Sequence, residues 1–146
     1  MKDDIVNPPY HYASSSIMVE DSSGHNVRVE PWELSVLLPH ALGSAFEYII
    51  RAGKKEGVTA STDLKKARWW IQRATTYTPA AFTQANGLLP ECAKRDFYAR
   101  EFGKAFPLWG NILDQNGDLT LESTRRFGYA LIVAIAEAEK KEGLNG

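Results

Sequence analysis

Five basic residues cluster in a short segment near the middle of the chain, in a pattern suited to binding phosphate. They are Arg51, Lys54, Lys55, Lys65 and Lys66. Arginine binds phosphate oxygens through two parallel N–H groups, whereas lysine supplies a mobile positive charge. The cluster therefore predicts a site for a polyphosphate, and a solvated charged loop between two helices is the alternative explanation of the same residues.

Local backbone signals predict how these side chains would meet. Gly53 indicates the end of a helix and a turn, which would bring Arg51, Lys54 and Lys55 toward one spot. The two later lysines fall in the first turn of the next helix, where backbone N–H groups without partners attract an anion. The predicted site therefore lies where one helix ends and the next begins.

Aromatic residues accompany the basic cluster. His11 lies between two tyrosines in a proline-rich arm, where it can donate to a phosphate, stack on a base with Tyr12, or only pack the arm onto the helices. Trp69 and Trp70 point about 100° apart on a helix. One of them is therefore expected in the core, and the other covers a base or forms a subunit contact.

Composition places these residues in an ordinary globular chain. Of the 146 residues, 44% are hydrophobic and 24% are charged, enough for one buried core. The longest mainly apolar run, residues 127–136, is too short to cross a bilayer, so no membrane partner is expected. A single cysteine and an acidic N-terminus without a signal peptide favour the cytoplasm.

The net charge of −1 hides a local excess of positive charge. Residues 51–73 contain seven basic and two acidic side chains, whereas the segments before them are acidic. This excess is small for a duplex nucleic acid, which is therefore not an expected partner. It suits a small anion such as a nucleotide.

The hydrophobic pattern predicts a mainly α fold: a compact helical domain of four to five helices with a small N-terminal β-hairpin. The hairpin is expected over residues 17–29, around a polar turn at residues 21–26. Helices are predicted over residues 32–38, 39–52, 61–77, 90–106 and 121–142, with residues 61–63 as N-cap candidates and Thr120 as a cap. The chain is expected to form a single domain, with an arm and hairpin (1–30), a helical core (31–78) and an additional helical region (79–146).

Several sequence motifs are absent or incomplete. No Gly-x-x-x-x-Gly-Lys-Ser/Thr sequence is present, which excludes a P-loop. Residues 114–118 resemble a calcium loop, but Ile112 and Ser123 would take its first and twelfth positions, so a turn is expected. Three scattered histidines and Cys92 lack the spacing of a zinc site, and no metal ligands are predicted.

Three blocks of sequence, in this order, resemble the small phage nucleotide kinase-like family. They are NPPYHY (7–12), GSAFEYIIRAGKK (43–55) and DLKKARWW (63–70). The resemblance covers about residues 5–75, and the characterised type of this family phosphorylates dTMP and dGMP without a P-loop. It implies phosphoryl transfer to a deoxynucleoside monophosphate, with a nucleoside triphosphate as the donor and a requirement for Mg²⁺ left open.

The resemblance also assigns roles to residues. The implied catalytic residues are Arg51, Lys54, Lys55 and His11. The implied substrate-binding residues are Asn7, Tyr12, Asp63, Lys66 and Trp69, with Asp63 orienting a lysine or holding a metal ion. A homo-oligomer is expected, because the resemblance and the aromatic-rich tail both point to it, in the cytoplasm of an infected or lysogenic bacterial host.

Departures from the family keep two other functions open. Ser44 and Glu47 stand where the family usually has asparagine and lysine, and residues 76–146 have no counterpart in it. A phage protein that binds or sequesters a nucleotide without catalysis is one alternative. A magnesium-dependent helical dNTP pyrophosphohydrolase is the other, suggested by Glu30 and Glu33, although no second acidic pair follows on a later helix.

Overall fold

The computed structural model describes residues 15–82 and 87–145, with side chains as far as residue 143. Two strands come first, β1 (Ile17–Glu20) and β2 (Asn26–Val29). The helices that follow are α1 (Pro31–Ser35), α2 (His40–Arg51), α3 (Ala60–Thr76), α4 (Ala93–Ala105), α5 (Pro107–Gly110) and α6 (Leu121–Asn145), with a 3₁₀ turn at Pro79–Ala81. The predicted fold class, mainly helical with a small N-terminal hairpin, is confirmed.

Three predicted site residues, Asn7, His11 and Tyr12, lie outside the described residues. Among the helices that are described, none is both long enough and apolar enough to span a bilayer.

The short helix α5 is one more than the pattern predicts. Pro107 comes two residues after the end of α4 and begins α5, because proline is well tolerated in the first turn of a helix.

The hairpin forms as predicted. β1 and β2 pair antiparallel, with Ile17 opposite Val29. The Oδ1 atom of Asp21 closes the turn by accepting hydrogen bonds from the backbone N–H groups of Ser23 and His25, each at 2.9 Å. These bonds and one from the Ser23 hydroxyl lower the pKa of Asp21. The hairpin places one buried face against the helices.

Helix α2 buries the face that its spacing predicts, with Leu42, Phe46, Ile49 and Ile50 in the core. Gly43 allows α1 to approach it closely, because a Cβ atom at this position would lie 2.7 Å from the Ser35 carbonyl oxygen. Gly53 follows the helix with φ +79°, the left-handed conformation that glycine adopts without strain. The predicted turn after α2 is therefore confirmed.

Helix α3 begins earlier than predicted. Thr59 is the N-cap, and its hydroxyl accepts a hydrogen bond from the backbone N–H of Thr62 at 3.3 Å. The cap candidates at residues 61–63 are therefore wrong, since these residues already lie in the first turn. Of the three, Ser61 and Asp63 are buried and serve other contacts.

Aromatic rings from both halves of the chain meet at the centre of the core. The Phe46 ring lies edge-on to Phe102 and Trp109, with centroids 5.1 and 4.8 Å away. Trp109 in turn contacts Phe127 of α6, and its indole N–H donates to the Ala99 carbonyl at 3.2 Å. These contacts fix α4, α5 and α6 against α2.

Helix α6 packs along α3 and carries the predicted cap. The Thr120 hydroxyl accepts a hydrogen bond from the backbone N–H of Ser123 at 2.9 Å, and the Ser123 hydroxyl accepts one from Thr120 N–H. Before it, Asp114 accepts hydrogen bonds from the backbone of Asn116 and Asp118, which confirms a turn at these residues.

Candidate functional site

A cleft of about 610 Å³ opens between α1, α2 and the middle of α3. Its polar and aromatic lining includes Ser35, Ser44, Glu47, Tyr48, Arg51 and Trp70. A second cavity of about 450 Å³ is lined by Tyr48, Lys65, Lys66, Trp69 and Trp70. Since Tyr48 and Trp70 line both, they form a shared wall, and the two cavities together are called the α2–α3 cleft.

Tyr48 brings two cations to this shared wall. The Arg51 guanidinium carbon lies 4.5 Å from the centroid of the Tyr48 ring, and the Lys66 ammonium lies 5.6 Å from it. Both distances are within the range of cation–π attraction. Two of the predicted site residues are therefore held beside the Tyr48 ring, which is not among the residues predicted from the sequence.

The two tryptophans differ in burial. Trp70 is partly buried against the core, whereas 47% of the Trp69 surface is exposed. Their rings meet edge-to-face with centroids 4.9 Å apart, and the His40 ring lies edge-on to Trp70 at 5.2 Å. The Arg73 guanidinium carbon lies 3.3 Å from the centroid of the Trp69 indole. The cleft therefore offers both flat apolar surface and nearby positive charge.

Asp63 lies beneath the cleft and holds Arg51. Its side chain is fully buried, and one oxygen lies 3.4 Å from Nη2 of Arg51. The other carboxylate oxygen and Nε of Arg51 are buried, and neither has a hydrogen-bond partner among the residues that the structure describes. A fully buried carboxylate beside a guanidinium suits the positioning of that cation, so in this structure Asp63 orients Arg51.

Glu47 gives the cleft a negative end. Its carboxylate accepts a hydrogen bond of 2.6 Å from the Ser35 hydroxyl, across the junction of α1 and α2. Glu47 and Arg51 are four residues apart on α2 and so share one face of the helix. The cleft therefore presents an acceptor at one position and a cation one helical turn away.

The N-terminus of α3 already has an anionic partner. The Glu142 carboxylate, from the end of α6, accepts hydrogen bonds from the backbone N–H and hydroxyl of Ser61, at 3.0 and 2.5 Å. These bonds lower the pKa of Glu142, and the Glu139 carboxylate, 2.7 Å from the Lys65 ammonium, raises the pKa of Lys65. The expectation of unpartnered N–H groups at this helix start is therefore wrong. Nothing in the sequence signals a pairing over so long a separation.

Lys54 and Lys55 do not share the contacts of Arg51. The Lys54 ammonium donates to the Ser15 hydroxyl at 2.8 Å and lies 4.6 Å from the Phe106 ring centroid. Its partial burial lowers its pKa. Lys55 is exposed in the turn after α2. Lys54 instead contacts Ser15, which comes four positions after His11 in the sequence.

The acidic pair in front of α1 serves as a helix cap. The Glu33 carboxylate accepts from the Glu30 backbone N–H at 2.8 Å, and the Glu30 side chain accepts in return from the Glu33 backbone N–H. This reciprocal arrangement is a capping box.

Among the residues that the structure describes, no group of three or more histidine, cysteine or acidic side chains could hold a metal ion.

Fold and cleft together define a mainly helical protein with an aromatic, partly basic cleft between two of its helices. No protein-family model, curated protein or solved structure matches the chain. The residues of the α2–α3 cleft are therefore the basis for assigning a function.

Proposed function

We propose that the α2–α3 cleft binds nucleotides and that the protein is a deoxynucleoside monophosphate kinase of the type without a P-loop. The observation that carries the proposal is the Tyr48 ring, with Arg51 and Lys66 beside it at the wall between two cavities. A nucleotide presents a flat base and an anionic phosphate, which this pairing of aromatic and cationic groups complements.

Two adjoining cavities suit two substrates. Each lies in the size range of small-molecule pockets, so one can take a monophosphate acceptor and the other a nucleoside triphosphate donor. In the transfer, an oxygen of the acceptor phosphate bonds to the γ-phosphorus of the donor. The bond from that phosphorus to the β–γ bridging oxygen breaks, and a nucleoside diphosphate leaves.

Arg51 lines one cavity and Lys66 the other, both beside the Tyr48 ring, and in this proposal they bind the phosphates. Phosphoryl transfer depends mainly on positioning the reactants and stabilising charge on the phosphoryl oxygens, which these two cations can supply. Asp63 holds the Arg51 guanidinium in place from below. The catalytic roles that the family resemblance implies for Lys54, Lys55 and His11 stay predictions.

The proposal is tested by incubating the protein with mixed deoxynucleoside monophosphates and nucleoside triphosphates, in buffer with Mg²⁺, and resolving the products. We expect dTMP or dGMP to be converted to its diphosphate. Lys66→Ala is expected to reduce turnover at least tenfold, whereas Lys104→Ala, which removes an exposed lysine of α4, leaves it unchanged. Failure of every nucleotide to bind the protein overturns the proposal.

A nucleotide-binding protein without catalysis is the second candidate, and one observation favours it. The Glu142 carboxylate occupies the start of α3, and Glu139 pairs with Lys65, so two groups suited to a triphosphate already have anionic partners. Binding of a nucleotide without any diphosphate product would select this function. Release of pyrophosphate from a dNTP would instead select the pyrophosphohydrolase.

A further inference from the structure

Helix α6 is apolar on two opposite faces. One face packs against α3 and buries Phe127 and Leu131 completely. On the other face Tyr129 and Val133 remain 72% and 58% exposed, and Ile132 beside them is 44% exposed. In this 25-residue helix the exposed apolar group lies near the middle, and no other described element covers it.

Charged side chains flank the exposed apolar residues in a regular order. Glu122 and Arg126 come before them on the outer face of α6, and Glu137 and Lys140 come after them. All four side chains are exposed, and none makes an ion pair with any other residue in the ranges 15–82 and 87–143. The outer face, defined as these four residues with Tyr129 and Val133, therefore has an apolar centre and four charges without partners at its ends.

We propose that a second copy of this chain packs antiparallel on the outer face of α6. When the two antiparallel helices are aligned so that Leu131 of each lies at the same height along the helix axis, Glu122 lies opposite the partner's Lys140. The same register places Tyr129 opposite the partner's Val133, and Arg126 next to the partner's Glu137. Every one of these pairings occurs twice, because a two-fold axis relates the copies.

The charge order fits this arrangement and not a parallel one. In a parallel pair of identical helices in register, Glu122 would face Glu122 and Lys140 would face Lys140, and like charges repel. In the antiparallel pair every charged residue of the outer face has an opposite charge within reach. The surface is therefore complementary to itself, which a two-fold interface requires and a surface for an unrelated partner does not.

The length of the interface sets the expected strength of the dimer. From Glu122 to Lys140 the helix rises about 27 Å. A contact between two single helices of this length lies at the small end of specific interfaces. We therefore expect a reversible dimer that dissociates on dilution and weakens with added salt.

Sedimentation equilibrium of the full chain between about 1 and 200 µM tests the proposal. We expect the weight-average mass to rise from monomer to dimer, and Val133→Glu to hold the chain monomeric over this range. Because Val133 is exposed, the variant is expected to keep the circular dichroism spectrum of the parent chain. A parent chain that is monomeric throughout, or a Val133→Glu variant that still dimerises, overturns the proposal.

Charge reversal tests the register. Glu122→Lys places two lysines together at each end of the interface and is expected to weaken the dimer at least tenfold, and Lys140→Glu does the same with two glutamates. Combining both substitutions in one chain restores opposite charges and is expected to restore the dimer. Mixing the two single variants is expected to yield a heterodimer. No rescue in the double variant contradicts the antiparallel pairing.

Discussion

The Glu142 carboxylate at the end of α6 accepts two hydrogen bonds from Ser61 in the first turn of α3, one from the backbone N–H and one from the hydroxyl. Residues far apart in sequence thus complete a helix N-terminus, where an acceptor satisfies an N–H group that the helix itself leaves without a partner. The contact ties the last helix to the segment that carries Asp63 and Lys66.

This contact predicts a pH-dependent contribution to stability. The hydrogen bonds lower the pKa of Glu142 in the folded chain. A carboxyl group with a lowered folded pKa stabilises the fold above its unfolded pKa, and this contribution is lost as the pH falls through the folded value. We expect Glu142→Ala to lower the urea midpoint at pH 7 and to have a smaller effect well below pH 4. Glu56→Ala, in an exposed loop, is the control, and an effect of Glu142→Ala equal at both pH values contradicts the prediction.

Removing Asp63 is expected to destabilise the protein strongly. Its carboxylate is fully buried beside Arg51, whose side chain is only 17% exposed. Breaking a buried ion pair on one side leaves an uncompensated charge, which costs about 3 kcal/mol or more. Urea unfolding of Asp63→Ala measures this loss.

The double variant Arg51→Met, Asp63→Leu supplies the comparison for that experiment. Replacing both charges with apolar side chains removes the cost of an unpaired charge, so much of the stability should return. If the cleft binds nucleotides as proposed, binding should not return, because the Arg51 guanidinium is absent. If Asp63→Ala unfolds at the same urea concentration as the parent chain, the buried pair is not what positions Arg51.

The sequence predicts the elements of this fold better than it predicts the site. Helix α2, the hairpin and the Thr120 cap follow from local signals such as apolar spacing, a polar turn and a hydroxyl before a helix. The start of α3 was misplaced, because several residues near it can cap a helix and packing decides which one does. The partner of Ser61 could not be predicted, because it depends on how α6 lies against α3.

The same limit applies to the cleft. Arg51 and Lys66 were recognised from their residue types, but Tyr48 was not, because only the packing of α2 on α3 brings its ring beside both cations. Lys54 is close to Arg51 in sequence, but it follows the turn at Gly53, and its ammonium group contacts Ser15. Residue types and spacing thus predict which charged residues lie in this segment. They do not predict which of these residues contact the same partner.

The close approach of α1 to α2 predicts the effect of a single methyl group. A Cβ atom at position 43 would lie 2.7 Å from the Ser35 carbonyl oxygen, too close for the backbone to remain in place. We expect Gly43→Ala to lower the free energy of unfolding by about 1–3 kcal/mol, as overpacking does. Gly143→Ala is the matched control, because no atom lies within 4 Å of a Cβ there and alanine favours the helix. Equal effects of the two substitutions would contradict the close approach.

Glu47 predicts which base the cleft prefers, if the cleft binds nucleotides as proposed. Glu47 lines the cleft, the Ser35 hydroxyl donates to its carboxylate at 2.6 Å, and a carboxylate has about four lone-pair sites for hydrogen bonds. Guanine offers two neighbouring N–H donors on its Watson–Crick edge, whereas thymine offers one N–H between two carbonyl oxygens that a carboxylate repels. We therefore expect dGMP to bind more tightly than dTMP.

Isothermal titration calorimetry with the two monophosphates tests this preference. Glu47→Gln replaces one acceptor oxygen with an amide that can donate to thymine, so the ratio of the dTMP and dGMP dissociation constants should fall about tenfold, or about 1.4 kcal/mol. Glu56→Gln makes the same substitution in an exposed loop and should leave the ratio unchanged. If the parent chain binds dTMP as tightly as dGMP, Glu47 does not read the base. Binding of either monophosphate would still support a nucleotide site, because Arg51 and Lys66 act on the phosphate that both ligands share.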